Sequence, residues 1–227
     1  MTWIYFVVLA RPAETAGGTS YIAALTYAAS KVGQFGFPLG WLFFIEHRRP
    51  AMSWPTARDL GLGLGFGALV ALIIFILHFG FLRAGPFLAS TPEMVFARIK
   101  LFHAETPIRY ALLSIFIAGA HSLMEEYYWR WFVFGQLKCV VTIMAAAALS
   151  SLAFMAHHVI ILWVYFPGNF FAAALPFAVC VATGGCVWAW LYERTGRLYA
   201  SWLSHLLVDV AILVVGYDMV FLGRAQT

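Results

Sequence analysis

Two adjacent carboxylates, Glu125 and Glu126, stand with Arg130 inside an apolar run from about residue 106 to 134. Two later apolar runs carry imidazoles, His157 and His158 in one, and His205 with Asp209 four positions on in the other. Carboxylate and imidazole are the side chains that take up and release protons, so this set suits acid–base work on a bound molecule, a proton relay, or a buried ion network that only fixes packing. A serine-type or cysteine-type nucleophile has no support. No serine or cysteine lies on a glycine-rich elbow with a histidine one turn away, and Ser122 and Ser204 are the nearest candidates. A thermolysin-like zinc pair is missing too, because no H-E-x-x-H occurs and no two histidines are spaced i,i+4.

The surroundings make these groups expensive. In a helix that crosses a bilayer, each ionised side chain near the middle costs about 2.5–3.5 kcal/mol, and three together approach a domain's whole stability of about 5–15 kcal/mol. Partners must therefore exist. Helical spacing puts Glu126 and Arg130 on one face, where they can neutralise each other, and on its own this stretch reads equally well as a salt bridge that fixes helix packing. Glu125 points about 100° away, with His121 the polar neighbour one turn back. His205 and Asp209 share a face, so the carboxylate can accept a proton from one imidazole nitrogen and set which nitrogen turns inward. A lone histidine in such a helix is more often a packing residue, but three helices each contributing acid or imidazole reverse that expectation.

The elements that must carry these residues follow from composition. Of the 227 residues 63% are hydrophobic and 11% charged, far from the roughly one quarter charged of globular chains. The expected fold is all-α, a multispanning transmembrane helix bundle of about six to eight helices in one membrane-embedded domain over 1–227. The net charge of +4 is scattered, which leaves nucleic acid without a binding surface. Cys139, Cys180 and Cys186 are odd in number and lie in apolar runs, so they read as small core residues.

In order, Trp3–Ala10 is apolar but too short to span before Arg11 and Pro12, and no removable signal peptide is read there. Spans are expected at 21–45, 60–82, 106–134, 139–166, 170–192 and 198–222. The first contains Lys31 and Pro38 and is expected to kink or to turn its lysine inward. In the second, Gly61, Gly63, Gly65 and Gly67 give two small-xxx-small frames, a packing signal. Thr91-Pro92-Glu93 opens a helix too short to span, read as an interfacial amphipathic helix. The fifth span has no ionisable group and reads as a spacer.

The motifs resemble a known family, the intramembrane proteases that include the type II CAAX prenyl endopeptidases and the bacterial abortive-infection-like proteins. Its pattern is E-E-x-x-x-R, F-x-x-x-H and H-x-x-x-N or H-x-x-x-D on three helices, matched here by Glu125, Glu126 and Arg130, by Phe154 and His158, and by His205 and Asp209. The resemblance covers a core of about 90–222, and spacing from Phe154 selects His158 over His157. It implies an integral, multi-pass protein of a bacterial inner membrane that hydrolyses a peptide bond near the carboxy terminus or a membrane-tethered segment of a partner protein. Prenylated C-a-a-X tails, bacteriocin-type peptides and carboxy-terminal sorting signals are all compatible substrates.

In that reading Glu125 activates the attacking water, His158 shares it, His205 stabilises the oxyanion and Asp209 orients the His205 ring. Glu126 is a second acid, Arg130 and Phe154 are supports, and His121 and His157 are accessory. Asp209 departs from the asparagine of eukaryotic-type members; an amide can donate to an oxyanion, whereas an ionised carboxylate cannot. No cofactor is expected. A zinc centre on Glu125, His158 and His205 is the rival mechanism, and a non-catalytic transporter-like or immunity protein is the rival function. Straight upright helices would leave Glu125 and His158 at different depths, so their convergence requires tilt or a first motif helix that runs on past Phe134.

Overall fold

A computed structural model describes residues 18–47, 53–83, 85–88, 91–166 and 168–223. The amino-terminal segment 3–10 lies outside the described residues. Seven helices and no strand occur among the described residues: α1 (Gly18–Phe44), α2 (Ala57–Leu82), α3 (Thr91–Leu101), α4 (Pro107–Leu137), α5 (Ile143–Tyr165), α6 (Phe170–Thr195) and α7 (Tyr199–Leu222). Five of them, α2 and α4 to α7, are long and apolar enough to cross a membrane. The expected all-α, multispanning class is what the structure has.

Threonine sets three of the starts. Thr56 opens α2 with a full capping box against Asp59, Thr106 caps α4 ahead of Pro107, and Thr142 caps α5. Each hydroxyl accepts a backbone N–H that the first turn would otherwise leave unmade. α1 runs through Pro38 without ending, and Lys31 lies beside Gln34 and over the Phe35 ring. α4 continues to Leu137, past the expected end at Phe134.

The chain forms two compact units, residues 1–54 with 128–186 and residues 55–127 with 187–227. In the second unit, the main packing is α2 on α7. Contacts progress in the same direction along both helices: Asp59 meets Arg197 at 3.5 Å, Gly63 faces Ala200, Gly67 faces Ser204 and Leu207, and His78 meets Asp218 at 2.9 Å. The two helices are therefore parallel. Parallel crossing requires an odd number of spans between them; α4, α5 and α6 supply three, and α3 must stay on one side. The short α3 fits that, with Val95, Phe96 and Ile99 packed on Tyr110, Leu213, Tyr217, Val220 and Phe221 at the start of α4 and the end of α7. Its apolar face is thus largely spent on protein.

Close approach is what the glycines provide, in one frame of the two. A Cβ on Gly63 would sit 2.6 Å from the Ala200 carbonyl oxygen, and one on Gly67 would sit 2.9 Å from both the Ser204 Cα and the Leu207 Cβ. Gly61 and Gly65 have nothing within 4 Å. Because Ser204 directly precedes His205, this contact fixes the height of the helix that carries a candidate site residue. Gly67→Leu should lower the thermal unfolding midpoint in detergent by the equivalent of about 1–3 kcal/mol through overpacking, whereas Gly65→Leu should leave it unchanged.

Candidate active site

Within the second unit, the candidate residues lie on α4 and α7, which run antiparallel and are tied by side chains to backbone. Tyr110 Oη donates to the Leu213 carbonyl at 2.8 Å, and Trp202 Nε1 donates to the Gly119 carbonyl at 3.0 Å. Gly119 belongs to a π-helical stretch, Phe116–His121. The wider turn leaves carbonyls differently aimed from those of a regular α-helix, and the Ser122 hydroxyl also donates back into it, to Ala118. A second π stretch, Tyr127–Phe134, follows the short α-helical piece Ser122–Glu126 that holds both glutamates. Interruptions of this kind recur at functional sites.

Four ionisable groups, Glu125, Glu126, His205 and Asp209, meet on that frame, with His121 beside them. His205 Nδ1 donates to Glu126 Oε1 at 2.9 Å. Its other nitrogen, Nε2, lies 3.8 Å from Glu125 Oε2 and 3.7 Å from Asp209 Oδ1. His121 Nε2 is 3.9 Å from Glu125 Oε1. Glu126 is fully enclosed, Glu125 and His205 are buried, and Asp209 is the most open of the four primary groups with 18% of its side chain exposed. The contact within hydrogen-bonding distance of the imidazole is therefore made by Glu126 from α4, while Asp209, expected to orient the ring, stands off on the Nε2 side. A separation of 3.7–3.8 Å is too long for a direct hydrogen bond, yet short enough for one small molecule to touch both groups.

Chemically, a carboxylate on Nδ1 fixes ring and tautomer and leaves Nε2 for a reacting partner. Nε2 with Glu125 Oε2 and Asp209 Oδ1 is also the donor set that this unit could offer a metal. Two ligands about 2.0–2.1 Å from a tetrahedral zinc stand roughly 3.3 Å apart. The separations of 3.8 and 3.7 Å would have to close by a few tenths of an ångström to hold one.

The first unit holds the rest of the motif residues. Phe154, fully buried on α5, is a platform: the Arg130 guanidinium lies 4.7 Å from its ring centroid, the His158 ring 4.5 Å and the His157 ring 5.2 Å. His157 stacks on Trp129 with the rings 5° from parallel, at 5.8 Å. A Cβ on Gly185 would come 3.0 Å from the Ser151 side chain and 3.4 Å from the Arg130 guanidinium, so the glycine lets α6 pack closely on α5 beside that buried cation. His158 Nδ1 lies 3.0 Å from the Phe154 carbonyl. A carbonyl only accepts, so Nδ1 carries hydrogen, and in the neutral ring Nε2 is the basic nitrogen. This gives the F-x-x-x-H spacing a physical content, since the phenylalanine packs the imidazole with its ring and aims it with its backbone.

Sequence reasoning passed over two features. α6 was expected to be a spacer, but Trp188 on it stacks on His205 at 4.2 Å. The buried pair His78 and Asp218, with Arg83 at 2.9 Å from the other carboxylate oxygen, forms a second ion network at the far end of α2 and α7. Both His78 and Asp218 begin π-helical turns. They are ionisable groups in apolar runs, the same signal that singled out Glu125 and His205.

The family model of the Rce1-like type II CAAX prenyl endopeptidases matches residues 106–211. That stretch carries Glu125, Glu126, Arg130, Phe154, His158, His205 and Asp209 at the family's spacings. The match covers a little under half of the chain, and over that stretch the chain is similar to this family. Five helices long and apolar enough to cross a membrane make the protein membrane-integral. No curated protein and no solved structure matches the chain. α2, His78 and Asp218 lie outside the matched residues. Phe154→Ala should cost about 3–5 kcal/mol of stability, read as a lower thermal midpoint, because one ring packs the cation and both imidazoles.

Proposed function

We propose that the chain is an endopeptidase that hydrolyses a peptide bond near the carboxy terminus, or in a membrane-tethered segment, of a partner protein through an activated water. The observation that carries this reading is the His205 ring, held at Nδ1 by Glu126 with Nε2 turned towards Glu125 and Asp209. Glu125 is the general base. It takes a proton from water as the oxygen attacks the carbonyl carbon, and that proton goes to the amine when the C–N bond breaks. His205, doubly protonated at that moment, donates Nδ1–H to Glu126 and Nε2–H to the oxyanion. Asp209, an acceptor only when ionised, balances the charge on the ring.

His158 keeps the part that the resemblance gives it, a share in the same water, and Arg130 and Phe154 keep theirs as supports. His121 and His157 stay accessory. We favour a metal-free reaction, because the His205, Glu125 and Asp209 donors stand wider than a zinc shell and no zinc-type histidine pair occurs. Were zinc bound, the ligands that the resemblance implies are Glu125, His158 and His205, and it would supply a water already primed for attack. The substrate class follows the family, a protein tail at the membrane, prenylated or carrying a sorting signal, and a bacterial inner membrane is the expected location.

The test uses purified protein in liposomes with a farnesylated C-a-a-X peptide and with a peptide bearing an apolar carboxy-terminal sorting tail. Wild-type protein should release the carboxy-terminal fragment from one of them. Glu125→Gln should lose about 10²-fold or more in rate with an unchanged thermal midpoint, and activity should survive phenanthroline. A Glu125→Gln variant as active as wild type would sink the general-base role. Loss of activity on chelation, restored by zinc alone, would replace the metal-free mechanism with the zinc one.

A further inference from the structure

Trp188 makes two contacts on consecutive residues of α7. Its ring stacks on the His205 imidazole, with centroids 4.2 Å apart and planes 15° from parallel, and its Nε1–H donates to Ser204 Oγ at 2.9 Å. The indole is 4% exposed and Ser204 is fully buried. An indole has one donor, and here it is consumed, so the ring cannot swing about its side-chain bonds without leaving a buried N–H unmade. Ser204 is itself held from the opposite side, where Gly67 of α2 presses on its Cα.

A histidine ring has two soft degrees of freedom, the tilt of its plane and a flip within that plane that exchanges its nitrogens. The hydrogen bond from Nδ1 to Glu126 selects the flip. That bond by itself does not set the roll of the ring about the line between donor and acceptor. A flat indole face at 4.2 Å removes that roll. Trp188 also presents the negative face of its π system to a ring that becomes cationic when both nitrogens are protonated.

We infer that Trp188 is a positioning residue for His205: stacked on the imidazole and anchored through Ser204, it sets the plane in which Nε2 faces Glu125 and Asp209. The kinetic half of this statement rests on the hydrolase reading above; the structural half does not. Trp188 has no expected contact with the substrate.

The experiment compares Trp188→Phe, which keeps a stacking face and drops the hydrogen bond, with Trp188→Leu, which drops both. With histidine-labelled protein in detergent micelles, the His205 Cε1–H signal, assigned by its loss in His205→Gln, should show an upfield ring-current shift in wild type. Trp188→Phe should retain most of that shift, and Trp188→Leu should abolish it. On the peptide cleaved by wild type, Trp188→Leu should lower kcat by about 10- to 100-fold with KM within about twofold, while Trp188→Phe should stay within about threefold of wild type in both. A His205 signal that does not move in Trp188→Leu would overturn the inference. So would a kcat that is unchanged while the signal moves, or a loss in Trp188→Leu that Trp188→Phe reproduces in full. If wild type cleaves no peptide, the proposed function fails while the NMR comparison still decides whether the indole sets the plane of the ring.

Discussion

An enclosed carboxylate in an apolar helix has to find a donor, because the bilayer core supplies none. Glu126 is enclosed completely, and within its unit the donor it meets is an imidazole N–H from α7. Much of the second unit serves that single contact. α4 and α7 are tied at Tyr110 and Leu213 and again at Trp202 and Gly119, the second tie falling in a π-helical stretch of α4 just before the glutamates. The orientation of the nitrogen that the proposed reaction uses is then a by-product of satisfying Glu126. With Nδ1 committed, Nε2 turns towards Glu125 and Asp209.

α2 provides the backing. It accompanies α7 in parallel from the Asp59–Arg197 pair to the His78–Asp218–Arg83 network, with Gly63 and Gly67 bringing the backbones together between them. Fastening at both ends and close approach in the middle fix the height and rotation of α7. Ion pairs of this kind bring specificity of register more than net stability, since desolvation offsets much of their attraction. The price of the arrangement is three further buried ionisable groups, Asp59, His78 and Asp218, outside the matched stretch.

How much of this could be read from residues alone depended on whether the signal was local. Apolar runs fixed five of the six expected spans to within a few residues, α1 not being among the helices apolar enough to cross, because the requirement to cross about 30 Å of hydrocarbon is written in composition. The motif residues were legible because a charge in such a run is rare. The frame in which the glycines work was not, since Gly61 and Gly65 are the same residue type at the same spacing as Gly63 and Gly67, and only the neighbouring helix distinguishes them. Asp209 was expected to orient His205 because it lies four residues on; Glu126, 79 positions away in sequence, makes that hydrogen bond instead. Trp188 carried no signal at all among the many aromatic residues of the chain.

The most direct test of the central claim, that Glu126 holds His205 by a buried hydrogen bond, is a double-mutant cycle on unfolding free energy with Glu126→Leu, His205→Leu and the pair. Removing either partner alone takes the 2.9 Å hydrogen bond from the other, buried, group, whereas removing both puts apolar side chains in contact. The account predicts that the double variant is less destabilised than the sum of the singles, with a coupling of about 1.5–3 kcal/mol. Effects that add to within about 0.5 kcal/mol would contradict it.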